Sequence, residues 1–173
     1  VVCHGLEGSS RAPYVRGLVA LALSRGLAVL ALNFRSCSGE TNRLPRFYHS
    51  GETGDLAHAV ERLAGERPGR PILVAGFSLG GNVVVKYLGE RGDGLPPEVR
   101  GAAVVSVPFD LERSARAAAS SSWPGRYWRS AGVPQVVGRS ARNRLSLTVS
   151  GMPSSGDSGC PCSKRREAAS ASA

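Results

Sequence analysis

Apolar and polar positions along the first 113 residues switch repeatedly between strand-like runs and helical spacing. Val1 to Cys3 reads as the end of a buried strand. Tyr14, Val15, Leu18, Val19 and Ala22 then recur at helical intervals behind Ser9 and Ser10, which can cap a helix N-terminus. Gly26 closes that helix, and Leu27 to Phe34 is a continuous apolar run of strand length. A polar loop, Arg35 to Gly51, leads into a helix from about Glu52 to Arg67 with Leu56, Ala59, Val60 and Leu63 on one face. Pro68 and Gly69 stop it. Pro71 to Gly76 is a third strand, Leu79 to Gly89 a helix, and Gly101 to Val107 a fourth strand.

Such alternation predicts an α/β fold of about four parallel strands with helices on both faces. After Pro108 the alternation stops. Leu145 to Val149 has the pattern of one more strand, but no paired helix follows it.

Charge divides the chain at the same place. Residues 1–113 hold 13 basic and 11 acidic side chains, whereas residues 114–173 hold 9 basic and 2 acidic. In the second part 30 of 60 residues are Ser, Ala or Gly, and its apolar positions are unphased. Residues 1–113 are therefore expected to form a partial core. Residues 114–173 are expected to be a low-complexity, disordered basic tail. An out-of-frame reading of a GC-rich gene would also give this composition. Without aromatic or helical patterning the basic residues do not point to a nucleic-acid partner. No apolar run approaches the roughly 18 residues of a membrane helix. Four cysteines among 173 residues do not make a disulfide scaffold. No metal-ligand or phosphate-loop motif occurs, so neither metal nor cofactor is expected.

The chemistry-bearing segment is Gly76-Phe77-Ser78-Leu79-Gly80-Gly81-Asn82, which is G-x-S-x-G between an apolar strand and an amphipathic helix. A strand turning sharply into a helix strains the corner residue and pushes its hydroxyl outward. Flanking glycines are required where a Cβ would strike the corner or the helix. Ser78 is the candidate nucleophile. The glycines Gly5, Gly76, Gly80 and Gly81 would shape the turn and the facing loop. As a pentapeptide alone, the motif also fits an ordinary glycine-rich turn capped by serine.

Four segments in order carry a resemblance: His4-Gly5-Leu6-Glu7-Gly8-Ser9-Ser10, residues 33–40 (NFRSCSGE), residues 46–53 (RFYHSGET) and residues 76–82. Together they resemble the YheT-like branch of the α/β-hydrolase superfamily, a group of esterases, over roughly residues 1–113. The resemblance implies a serine hydrolase of carboxylic esters, an AB hydrolase-1 domain working through an acyl-enzyme. Its substrate would be a small ester or lipid-like molecule. Ser78 would be the nucleophile, the backbone N–H groups of Leu6 and Leu79 the oxyanion hole, and His49 a site-lining residue. His4 reads as a histidine hydrogen-bonded within its loop, and His58 as solvent-facing.

This chain departs from that pattern. Superfamily order is Ser, then Asp, then His. Here His4, His49 and His58 all precede Ser78, and the acids after it do not sit where the triad acid belongs. A serine without a base is a weak nucleophile. The expectation is a fragment truncated at both ends, of little activity by itself. The alternative is a non-catalytic pseudoenzyme or interaction fragment that self-associates through exposed sheet edges. The expected location is the cytoplasm, with a lost N-terminal membrane anchor left open.

Overall fold

The computed structural model describes residues 1–119, 134–139 and 145–149. In chain order the elements are β1 (Val2–Cys3), α1 (Pro13–Ser24), β2 (Ala31–Leu32), α2 (Gly54–Glu66), β3 (Ile72–Phe77), α3 (Leu79–Arg91), β4 (Val99–Val105), α4 (Leu111–Ala119), β5 (Pro134–Arg139) and β6 (Leu145–Val149). They form one sheet in the order β2-β1-β3-β4-β5-β6. The four strands from β2 to β4 run parallel, so the α/β architecture expected from the alternation is present.

One face of β3 is buried through Ile72, Val74 and Gly76, while Leu73 on the other face stays 55% exposed. The buried face packs with Leu56 and Val60 of α2 and with Val83, Val84, Tyr87 and Leu88 of α3. Burying each such aliphatic side chain contributes about 1.5–3 kcal/mol. Helix α1 touches the opposite face, where Tyr14 packs on Phe77. Its predicted stripe does turn inward, with Val15 buried and Leu18, Val19 and Ala22 half-buried.

Several boundaries differ from expectation. Helix α1 starts at Pro13, not behind a serine cap, because proline's fixed φ suits a first helical position. The hydroxyl of Ser9 accepts the Arg11 N–H instead, and Ser10 donates its N–H to Asn33. Of the run from Leu27 to Phe34 only Ala31 and Leu32 pair as strand. An apolar run sets burial, but ladder length depends on the partner, and β1 offers only two residues here.

Two further differences concern the second part of the chain. The alternation continues past Pro108 into α4, and β5 pairs antiparallel with β4, as β6 does with β5. The strand read at Leu145 to Val149 is present as β6. On this side the expected open edge of β4 is occupied; the outer strands among the described residues are β2 and β6. The expectation of disorder over 114–173 otherwise falls outside the described residues. No helix among the described residues is long and apolar enough to cross a membrane.

Candidate active site

Ser78 stands between the last residue of β3 and the first of α3. Its backbone has φ 50° and ψ −118°, a left-handed conformation that a residue with a Cβ adopts only when its surroundings impose it. They do so from both sides. The Ser78 N–H donates to the Val105 carbonyl at 2.8 Å, which extends the β3–β4 ladder by one bond. The Ser78 carbonyl accepts from the N–H groups of Gly81 (2.8 Å) and Asn82 (3.2 Å), the opening bonds of α3. One residue thus belongs to a sheet through its nitrogen and to a helix through its oxygen. That leaves the side chain half-buried at the corner.

The corner is tight enough to exclude side chains from its flanks. A Cβ on Gly76 would lie 2.7 Å from the Gly80 carbonyl carbon and 2.8 Å from the Gly81 Cα. On Gly80 it would lie 2.7 Å from the Cys3 carbonyl oxygen and closer still to that of His4. A Cβ on Gly81 would press on the end of the Val107 side chain and make ordinary contact, at 3.5 Å, with the Gly76 carbonyl oxygen and the Val104 Cβ. At Gly5, across the corner, an added Cβ would reach 3.3 Å from the Ser78 Cβ. The loop after β1 therefore lies directly against the serine.

Residues 5–8 of that loop are pinned almost amide by amide. Gly5 N–H donates to the Tyr14 hydroxyl (3.0 Å), Glu7 N–H to the Tyr48 hydroxyl (2.8 Å), and Gly8 N–H back to the Gly5 carbonyl (3.1 Å). Leu6 N–H alone in the stretch meets no acceptor among the described residues. The Leu79 N–H, first in α3, is likewise without one, as helix starts leave their first amides. The N-terminal end of α3 also favours negative charge. Two main-chain donors thus stay uncommitted among the described residues, one in the loop that lies against Ser78 and one in the residue that follows it.

His4 is fully buried and both ring nitrogens are used. Phe34 N–H donates to Nε2 at 3.1 Å, which makes Nε2 the acceptor and puts the proton on Nδ1, donated to the Gly5 carbonyl at 2.7 Å. The ring also meets Phe34 edge-on at 4.8 Å, and Phe34 stacks on Tyr48 at 5.3 Å. Burial, only partly opposed by the bond to Gly5, pulls the His4 pKa below the ordinary histidine value. His4 is a neutral brace between β1 and the loop after β2.

His49 is exposed, and its Nδ1 accepts the Gly51 N–H at 3.1 Å, so its ring serves its own loop. The backbone of Gly51 is the ring's partner. His58 is exposed on α2. Among the described residues no imidazole is hydrogen-bonded to Ser78. Next to the loop a cleft of about 770 Å³ opens, lined by Leu6, Ser10, Cys37, Phe47 and Tyr48 among others. Ser78 is not part of its lining.

The two tyrosines that fix the loop escaped sequence reasoning. Tyr14 counted only as an apolar helix position, and Tyr48 lay unremarked inside its motif. Neither ring is fully buried, Tyr14 being exposed and Tyr48 half-buried, so the one signal was the hydroxyl that each carries as a potential hydrogen-bond partner.

Cys3, one residue before His4, is buried, and burial pushes its thiol up to about 12. Cys37 is half-buried in the loop after β2. Iodoacetamide at neutral pH is expected to alkylate Cys37 well before Cys3 in the native protein, since the thiolate is the reacting species. Peptide mapping by mass spectrometry reads the order. Equal rates would mean that Cys3 is not enclosed.

A family model described as "alpha/beta hydrolase fold" matches residues 1–150. The chain belongs to that family. It is 47% identical over 112 residues, 65% of this chain, to "Putative esterase YheT" of Escherichia coli (strain K12). It is 33% identical over 147 residues, 84% of this chain, to "Monoacylglycerol lipase" of Saccharomyces cerevisiae (strain ATCC 204508 / S288c). "Phospholipase ABHD3" of Mus musculus is 35% identical over 106 residues, 61% of this chain. The chain spans 32%, 32% and 25% of the length of these three relatives. No solved structure matches it. The YheT-like resemblance in the sequence is thereby supported from outside it.

Proposed function

We propose that this hydrolase-family chain carries the nucleophilic half of a carboxylic ester hydrolase. Ser78 is the nucleophile, and the amides of Leu6 and Leu79 hold the oxyanion. The observation that carries the reading is the strained backbone of Ser78, φ 50°, with the glycine loop seated against its Cβ. Strain of about 1–3 kcal/mol at a non-glycine residue persists where surroundings impose it, and it concentrates at functional sites. Attack would join Ser78 Oγ to the carbonyl carbon, with the carbonyl π pair moving onto oxygen between the two amides. The hydroxyl proton must pass to a base, and the alcohol then leaves as the acyl-enzyme forms.

The substrate class is a small ester or lipid-like ester, supported by relatives named as an esterase, a monoacylglycerol lipase and a phospholipase. With no imidazole on Ser78, the chain by itself is expected to turn over little ester. A cytoplasmic location is the companion reading, supported by the free thiols of Cys3 and Cys37.

A fluorophosphonate probe tests the assignment. Wild type is expected to be labelled on one site, and Ser78→Ala is expected to abolish that label. Equal labelling of both proteins, or label mapped to another residue, would remove Ser78 from the chemistry. A nitrophenyl ester tests the companion claim of low turnover. A non-catalytic binding role is favoured by the same missing imidazole, and it predicts no labelling at all.

A further inference from the structure

We infer that the Tyr14 hydroxyl is a third donor to the oxyanion, beside the amides of Leu6 and Leu79; this rests on the proposed role of Ser78. Tyr14 reaches the corner because α1 starts at Pro13, placing the tyrosine in the first turn. Its ring lies on Phe77, centroids 4.9 Å apart, and Phe77 immediately precedes Ser78. Its oxygen accepts the Gly5 N–H at 3.0 Å.

A phenol has one proton and two lone pairs. The bond from Gly5 uses a lone pair and leaves the proton uncommitted. Among the described residues nothing accepts it. The position of that hydroxyl is informative. The point where a Cβ on Gly5 would sit is 3.3 Å from Ser78 Cβ and 3.5 Å from the Tyr14 oxygen. Both side chains therefore flank the same side of Gly5, as does the Phe77 carbonyl oxygen, 3.4 Å from that point. A carbonyl oxygen turned toward Leu6 during attack by Ser78 would lie over that side of Gly5, which has no side chain to block it. There it would meet the phenolic O–H as well as the two amides. Tyr14 keeps its proton throughout and donates only a hydrogen bond, which strengthens as negative charge develops on the substrate oxygen.

The arrangement also explains why an acceptor as bulky as tyrosine serves Gly5. A backbone carbonyl or a water could satisfy that N–H equally well, but neither would be held by an aromatic contact to the residue before the serine.

The rate of phosphonylation by a fluorophosphonate probe tests the inference. In that reaction Ser78 Oγ bonds to phosphorus, fluoride leaves, the hydroxyl proton passes to buffer, and the phosphoryl oxygen takes the developing charge. Tyr14→Phe is expected to slow labelling by about tenfold or more, the scale of losing one oxyanion donor. Site-specific 3-fluorotyrosine at position 14, used below its own pKa, is a stronger donor and a weaker acceptor of nearly the same shape. It is expected to label faster than wild type. A hydroxyl serving only as acceptor for Gly5 would instead give slower labelling with 3-fluorotyrosine. That result, or an unchanged rate in Tyr14→Phe, overturns the inference while leaving Ser78 in place. Wild type unlabelled at Ser78 overturns both. Should Tyr14→Phe fail to fold, the fluorinated protein decides alone.

Discussion

Gly80→Ala is expected to cost about 3 kcal/mol or more, a large share of the stability of an ordinary domain. The added Cβ has nowhere to go: it would press on the carbonyl oxygens of Cys3 and His4, both main-chain atoms at the end of β1. Relief would require α3 to move off the sheet, taking the buried Val83, Val84, Tyr87 and Leu88 with it. Gly89→Ala, further along the same helix, is the control. Nothing lies within 4 Å of a Cβ there, so the substitution should stabilise by about 0.5–1 kcal/mol through helix propensity. Urea unfolding of the three proteins measures both effects. Two alanines of equal effect would mean that β1 and α3 are not in contact at Gly80.

His4→Ala is expected to lose about 3 kcal/mol, from an enclosed cavity and from an orphaned Phe34 N–H. The wild-type residue should also impose a pH dependence. Its folded pKa lies below the ordinary histidine value, so between the two values the unfolded chain binds a proton that the native protein refuses. Its contribution is complete above the unfolded value near 6.5 and is lost as pH falls toward the folded one. Protonation would set an N–H against Phe34 N–H at Nε2. Comparing urea midpoints at about pH 7.5 and about pH 5.5, wild type should lose more than His4→Gln, which has no such proton. Identical losses would assign the acid sensitivity to groups other than His4.

The parallel core and the Ser78 corner were both legible in the amino-acid sequence because each is locally encoded. Apolar runs such as Ile72 to Phe77 fix burial, and Gly76 and Gly80 mark places where main chains touch. What escaped was decided by partners. Leu27 to Phe34 reads as a strand throughout, yet only Ala31 and Leu32 find a ladder on β1. The antiparallel return of β5 onto β4 has no local mark, since strand direction depends on where the connecting chain leaves the sheet. The hydrogen bonds of Tyr14 and Tyr48 span 9 and 41 residues, beyond the reach of any periodicity. His4 was placed correctly inside its loop, but the tautomer that makes it a brace came only from Phe34.

At Leu6 the donor belongs to the main chain, and this changes how the position responds to substitution. The side chain is 67% exposed, and the amide is the one within residues 5–8 that meets no acceptor among the described residues. Any residue but proline retains that amide, so under the proposed role mutational scanning at position 6 would sound nearly silent while the proposed oxyanion donor stayed untouched. Here the vulnerability has been moved outward, onto the glycines and tyrosines that hold the peptide plane in place, and it is there that damaging variants should accumulate.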